Sequence, residues 1–262
     1  MKLVLDVLIM RQIMLIIARI KLLLIALISL LIFIYIPNFE LQEVYAQFLS
    51  SPQIKPLDPN FNNSSIYSFV QSGFNYSQQL YGEARIPVKK INLDINITPL
   101  TSLDNANKGE FTIYLSHKPS EYAFHGQLAH EIFHLLNAQL LDCYTEGLAT
   151  VFADKMLTSN NLNWSGWEQY FKAGSEPFYG LTYSMMKEIS DTVGSANMKG
   201  LLNFAVYNNS SQRWMHIDID GWLSSMSDRV KIEVQKIINK HIISVKQVVE
   251  SNNQMYSCFK PS

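Results

Sequence analysis

The residues most able to do chemistry lie in the stretch His130-Glu131-Ile132-Phe133-His134. On an α-helix, residues four positions apart lie on the same face, about one turn apart along the axis. His130 and His134 would therefore project side by side, and two imidazoles at this spacing can bind one zinc ion. Burying such a polar face on an otherwise apolar helix would be costly without a metal or other partners.

Glu131 follows the first of these histidines directly. With zinc bound, its carboxylate would be placed to accept a proton from a zinc-activated water, which could then attack a peptide carbonyl. The pattern therefore predicts hydrolysis of peptide bonds, with Glu131 as the general base and a protein or peptide as the substrate. A chance occurrence of the motif in an unrelated helical domain is one alternative.

A second stretch, Glu146-Gly147-Leu148-Ala149, begins another predicted helix. With these two motifs the chain resembles the glutamate zincins, metallopeptidases of the peptidase MA-like, thermolysin-like type, over about residues 111–207. The resemblance implies that Glu146 is the third zinc ligand beside His130 and His134. It also implies a zincin-like α+β fold, in which a small mixed sheet has its edge strand packed on the motif helix and a mainly helical lobe follows. A catalytically inactive binding or assembly protein on this scaffold is the alternative function.

Glu146 follows His134 by twelve positions, which is a close spacing for two ligands of one metal. A continuous helix would place Glu146 about 18 Å further along its axis, out of reach of the metal. The first helix must therefore end early, either at Asn137 or within residues 142–145, with Thr145 as the N-cap of a helix that starts at Glu146. Without such a break, the fallback ligands would be Asp142, Cys143 or Asp154.

Attack on a peptide carbonyl also requires a hydrogen-bond donor for the developing oxyanion. Tyr179 and Tyr183, in the aromatic segment 164–183, are the candidates, although either could instead be part of the core or the cleft wall. His216 is a further candidate. His125 lies five positions before His130 and points off the zinc face, so we expect it to be structural or to line the cleft.

The elements that must position these residues follow from the spacing of apolar side chains. Alternation predicts strands over 88–98 and 111–116, and helical spacing predicts helices over 126–140, 146–157, 181–193 and 228–250, the third of them stopped by Gly194. We expect residues 111–115 to form the edge strand over the site, to which an extended peptide could add as a further strand. Strands first and helices afterwards indicate an α+β fold.

The first part of the chain predicts how the protein is targeted. Residues 22–36 are apolar and uncharged, and basic residues precede them, which is typical of a signal peptide or an N-terminal membrane anchor within residues 1–36. A proline-rich stretch, 37–65, reads as a linker, and 66–262 as the metallopeptidase domain. We therefore expect a membrane-anchored protein with an extracytoplasmic domain, or a secreted one.

The composition indicates which partners to expect and how the cysteines could pair. The net charge of −1, without blocks of like charge, argues against a nucleic-acid partner. The chain has two cysteines, Cys143 and Cys258, which could form a disulfide or remain as two buried thiols.

Overall fold

A four-stranded mixed sheet supports one face of the candidate site in this computed structural model, which describes residues 51–174, 176–208 and 213–252 together with Tyr256 and Cys258. The strands are β1 (Gln53–Pro56), β2 (Lys90–Ile95), β3 (Leu100–Asn105) and β4 (Glu110–Leu115). Their order in the sheet is β1-β2-β4-β3, with β1, β2 and β4 parallel and β3 antiparallel at one edge. As the alternation predicts, Phe111, Ile113 and Leu115 of β4 are all buried.

Helices make up most of the rest of the described chain. They are α1 (Ser64–Tyr81), α2 (Phe124–His134), α3 (Cys143–Ser159), α4 (Ser165–Lys172), α5 (Pro177–Lys199), α6 (Ile219–Ser224) and α7 (Asp228–Ser251), and a short ribbon of β5 (Ala205–Tyr207) and β6 (Met215–Ile217) lies between α5 and α6 in sequence. α3 packs against both α2 and α5, and α5 packs against α7. A small mixed sheet combined with these helices confirms the predicted α+β class.

Two helices end differently from their sequence patterns. The predicted helix over 126–140 ends at His134, because the chain then tightens into turns in which the Leu136 N–H donates to the Phe133 carbonyl and the Asn137 N–H to the His134 carbonyl. The predicted stop at Gly194 appears as a kink inside α5, where this glycine adopts a φ of 72°. Only a residue without a Cβ adopts that conformation at little cost.

The folded unit begins at Pro52, earlier than the predicted boundary at residue 65. β1 pairs in parallel with β2, and Phe61 is fully buried in the core. The prolines that favoured a linker instead mark the ends of ordered elements, since Pro56 ends β1 and Pro59 begins a single 3-10 turn. The predicted leader over 1–36 and the linker residues up to 50 lie outside the described residues.

The localisation predicted from the apolar run requires a correction. Within the described ranges, no helix combines the length and the apolar character needed to cross a membrane. This finding contradicts the expectation of a membrane-anchored protein. The run on which that expectation depended, residues 22–36, lies outside the described residues.

The predicted edge strand is also wrong. Residues 111–115 belong to β4, which is an inner strand with β2 on one side and β3 on the other. The edge is formed by β3. The sequence pattern did not predict this strand, because its residues Leu-Thr-Ser-Leu-Asp-Asn lack a regular apolar alternation. β3 is the strand that brings Thr101 against α2.

Candidate metal centre

The two histidines of the motif project together from α2, as their spacing predicts. The rest of this helix is fixed in the core, since Leu128, Ile132 and Phe133 are all buried. The Nε2 atoms of His130 and His134 face each other at 3.2 Å. The helix therefore presents two imidazole nitrogens at one point.

The break that Glu146 requires lies between α2 and α3. Main-chain hydrogen bonds anchor this turn to β6: the Leu141 N–H donates to the Met215 carbonyl at 2.9 Å, and the Met215 N–H donates to the Gln139 carbonyl at 2.7 Å. α3 then begins at Cys143, capped by Asp142 rather than by the predicted Thr145, whose own N–H donates to the Asp142 carboxylate at 2.7 Å. The chain thus turns back and places Glu146 in the first turn of α3.

Glu146 completes a cluster of three metal-ligating side chains. One carboxylate oxygen lies 3.2 Å from His130 Nε2, the other lies 3.6 Å from His134 Nε2, and the ligand atoms of all three residues lie within 4.8 Å of one another. Burial by itself would raise the pKa of Glu146, but the positive charge of His134 and the hydrogen bonds with both histidines outweigh it and lower that pKa to about 2. Glu146 is therefore an ionised carboxylate held against two imidazoles.

Thr150 sets the proton position on His130. Its Oγ1 donates to the Glu146 carbonyl at 2.9 Å and lies 3.3 Å from His130 Nδ1. Since a hydroxyl has only one proton to donate, it accepts from the Nδ1–H of His130. In the neutral form of His130, this arrangement leaves the lone pair on Nε2, directed at the cluster, and that form can bind a metal.

Gly147 allows the ligand helix to approach its neighbour. A Cβ at this position would collide with the main-chain oxygen of Thr182 in α5. Glycine is therefore required for the close contact between α3 and α5 directly beside Glu146. This contact explains why a glycine follows Glu146 in the second motif.

Glu131 lies beside the cluster and is held by the edge strand. Thr101 Oγ1 lies 2.7 Å from the Glu131 carbonyl and 3.0 Å from its carboxylate. The side chain is buried, which raises its pKa, and the nearby charges of His134 and His130 offset only part of that rise. A buried carboxylate with a raised pKa suits a group that takes up and releases a proton.

Tyr179 and Tyr183 are the two tyrosines predicted as oxyanion donors. The structure places Tyr179 beside the cluster and Tyr183 against other residues. The Tyr179 ring packs edge-on against the His130 ring with centroids 5.6 Å apart. Burial and the negative charge of Glu146 raise the pKa of Tyr179, so its hydroxyl keeps its proton. The Tyr183 hydroxyl instead donates to Asp154 at 2.9 Å and accepts from the Trp164 indole at 3.2 Å.

His130 of the cluster and the neighbouring Glu131 line a cleft of about 270 Å³. Aromatic side chains form one wall and the loop after β4 contributes to the other; the lining includes Ser116, His117, Trp164, Trp167, Tyr170, Phe171 and Tyr179. Trp167 lies directly on α2, where a Cβ at Gly126 would collide with its indole. Because Gly126 is one turn before His130, this contact brings the aromatic wall up to the metal-ligating face.

The other residues considered as ligands or donors lie in different surroundings. Asp142 caps α3, and Asp154 accepts from Tyr183. His216 lies on β6 and is hydrogen bonded to Asn208, and neither residue lines the cleft. His125 packs against the Phe69 and Phe124 rings, with 5.3 and 5.0 Å between ring centroids, which is the first of the two roles expected of it, structural or cleft-lining.

The two cysteines form a disulfide, one of the two outcomes that the sequence leaves open. Cys143 is fully buried in the first turn of α3, three residues before Glu146. Its partner, Cys258, belongs to the C-terminal tail, which also places Tyr256 within hydrogen-bond distance of Tyr179 (3.2 Å between hydroxyl oxygens). The tail is thereby attached to the helix that carries Glu146.

Sequence reasoning missed three residues of this site: Thr101, Thr150 and Tyr256. Thr150 could have been found, because it lies four positions after Glu146 and hence on the same helical face. Tyr256 could have been placed near the site only by accepting the disulfide two residues later. No sequence signal identifies Thr101, since its strand was not predicted.

No protein-family model, curated protein or solved structure matches this chain. The interpretation of the site therefore depends on its own geometry and chemistry.

Proposed function

We propose that this chain is a zinc-dependent peptidase of the zincin type. The observation that carries the proposal is the convergence of His130, His134 and Glu146 from two helices, with Glu131 beside them. A tetrahedral zinc ion bound at about 2.0–2.1 Å holds its ligand atoms about 3.3–3.5 Å apart. The two imidazole nitrogens are 3.2 Å apart, and they lie 3.2 and 3.6 Å from the two carboxylate oxygens of Glu146, which are separations of the same size.

The composition of the cluster favours a catalytic site over a structural one. Two histidines and one glutamate leave one position of a tetrahedral ion for water or substrate. That position is consistent with the cleft, because His130 and Glu131 both line it. Zinc, when bound there, would polarise a peptide carbonyl and lower the pKa of a water molecule.

Glu131 acts as the general base in this proposal. Its carboxylate accepts a proton from the attacking water and later delivers that proton to the amine of the leaving group. Thr101 Oγ1 lies 3.0 Å from the carboxylate, so the edge strand contacts the proposed base directly. Removing the carboxylate charge would therefore abolish the base without disturbing the ligand set.

Tyr179 acts as the donor to the oxyanion that develops on the substrate carbonyl. Its protonated hydroxyl and its packing against His130 support this role. The outward side of β3 offers main-chain N–H and C=O groups with which an extended substrate could pair. The resemblance to zincins implies a small mixed sheet with its edge strand packed on the motif helix, and the contact of Thr101 in β3 with Glu131 in α2 supports that part of the proposal.

The test is cleavage of an unfolded protein by the zinc-loaded, full-length chain and by its Glu131→Gln variant. We expect the variant to retain zinc and to lose at least about 100-fold in rate, the usual contribution of a general base. Glu83→Gln, a change at an exposed glutamate, is the matched control and should cleave at the wild-type rate.

Two results would contradict the proposal. A wild-type chain that binds no zinc cannot be a zinc peptidase. A wild-type chain that binds zinc but cleaves no faster than Glu131→Gln would favour the inactive binding protein on the same scaffold.

A further inference from the structure

The C-terminal tail contacts Tyr179, the proposed oxyanion donor, through Tyr256. The Tyr256 ring stacks on the Phe178 ring at 4.5 Å between centroids and 12° between planes, and its hydroxyl lies 3.2 Å from that of Tyr179. Tyr256 does not line the cleft, whereas Tyr179 does. Tyr256 therefore contacts Tyr179 without lining the cleft itself.

The disulfide fixes this tail close to the metal-ligating residues. Cys258 follows Tyr256 by two positions and is bonded to Cys143, in the turn of α3 that carries Glu146. A chain end without such an attachment is usually poorly ordered, because few contacts offset the entropy of its free conformations. The covalent bond restricts Tyr256 to the neighbourhood of Tyr179 and Phe178.

We infer that Tyr256 is a positioning residue, which orients the Tyr179 hydroxyl toward the reacting carbonyl and is itself held in place by the Cys143–Cys258 disulfide. The inference rests on the proposed peptidase function. When Tyr256 donates to Tyr179, the proton of Tyr179 is left for the cleft, and a chain of two hydroxyls strengthens the final donor. A lone Tyr179 hydroxyl would rotate freely between the cleft and other acceptors.

Tyr256→Phe tests the hydrogen bond while it retains the ring that stacks on Phe178. We expect kcat of the zinc-loaded, full-length chain to fall about 3- to 10-fold, the effect of one neutral hydrogen bond, with KM and zinc content unchanged. In a Tyr179→Phe background, the same substitution should cause no further loss, since its effect passes through Tyr179. Tyr67→Phe removes a tyrosine hydroxyl on α1 that is bonded to Asn62 and serves as the control.

Cys258→Ser tests the attachment. This variant should lower kcat at least as much as Tyr256→Phe, again with zinc retained, and adding Tyr256→Phe to it should have little further effect. Cys258 is the better position to change, because Cys143 is fully buried in the core.

Each other outcome overturns the inference. If Tyr256→Phe keeps the wild-type kcat, Tyr256 does not act through Tyr179. The same follows if Tyr256→Phe lowers kcat equally in the wild-type and Tyr179→Phe backgrounds. Loss of zinc in Tyr256→Phe would mark a merely structural residue. If the wild-type chain cleaves in a Glu131-dependent manner, these results overturn this inference alone; if it does not cleave, the proposed function falls as well.

Discussion

The candidate site has a proposed ligand side, formed by His130, His134 and Glu146, and a proposed donor side, formed by Tyr179 and its hydrogen-bond partner Tyr256. The ligand side is carried by two helices whose other faces are buried in the core. The donor side depends on the first turns of α5 and on a tail residue held by one disulfide. The two sides meet where Gly147 of α3 packs against Thr182 of α5.

This difference shows how the two parts of one site can be fixed by different means. Core packing determines the ligand geometry, so many residues share the cost of holding three polar side chains together. The donor side is held by a few identifiable contacts, each of which a single substitution can remove. Substitutions on the ligand side should therefore affect metal binding, and those on the donor side should affect turnover with the metal retained.

The largest effect is expected from breaking the ligand side itself. His134→Ala should weaken zinc binding by more than about 100-fold, beyond the loss typical of a residue that only supports a ligand, and should reduce cleavage to background. The measurement is zinc affinity by competition with a chelator. His125→Ala, which removes a histidine from the same helix but off the ligating face, should bind zinc as the wild type does; equal losses in both variants would contradict the assignment of the ligands.

A smaller effect on the same side is expected from Thr150→Val. The valine keeps the shape of the side chain but cannot accept the Nδ1–H of His130, so zinc affinity should fall about 10- to 100-fold. Thr158→Val, near the exposed end of α3, is the matched change and should leave the affinity as it is. Unaltered zinc affinity in Thr150→Val would show that this hydroxyl does not orient the ligand.

The smallest effect is expected at the junction of the two sides. Gly147→Ala introduces a Cβ against the Thr182 carbonyl, and the resulting overpacking should lower the free energy of unfolding by about 1–3 kcal/mol. Urea unfolding measures this loss. Gly200→Ala is the control, because a Cβ there meets only the Asn197 oxygen at 3.8 Å. A Gly147→Ala variant as stable as the wild type would show that α3 and α5 can separate without cost.

The sequence was most informative where local periodicity decides the structure. The joint projection of His130 and His134 requires only a helix, and the helical pattern at 126–134 is sufficient to predict it. The need for a turn before Glu146 also followed from the rise of a helix. The position of that turn did not, because apolar residues continue past His134 and the hydrogen bonds that anchor the turn come from Met215, far along the chain.

The remaining site residues depend on contacts between distant segments. Thr101 reaches Glu131 only because β3 lies at the sheet edge, and strand order is not encoded in the local pattern of β3. Tyr256 reaches Tyr179 through a disulfide whose formation the sequence left open. Tyr183 lies four positions after Tyr179, and the local sequence gives no reason to prefer one over the other as the oxyanion donor. In the structure, the Tyr183 hydroxyl is hydrogen bonded to Asp154 and Trp164 instead.

The central claim is that one zinc ion is held by His130, His134 and Glu146. The most direct measurement is an anomalous difference map, recorded at the zinc edge, from crystals of the zinc-loaded protein. The account predicts a peak about 2.0–2.2 Å from the Nε2 atoms of both histidines and from a carboxylate oxygen of Glu146. A peak at another place, or one ligated by Asp142 or Asp154 instead of Glu146, would contradict it.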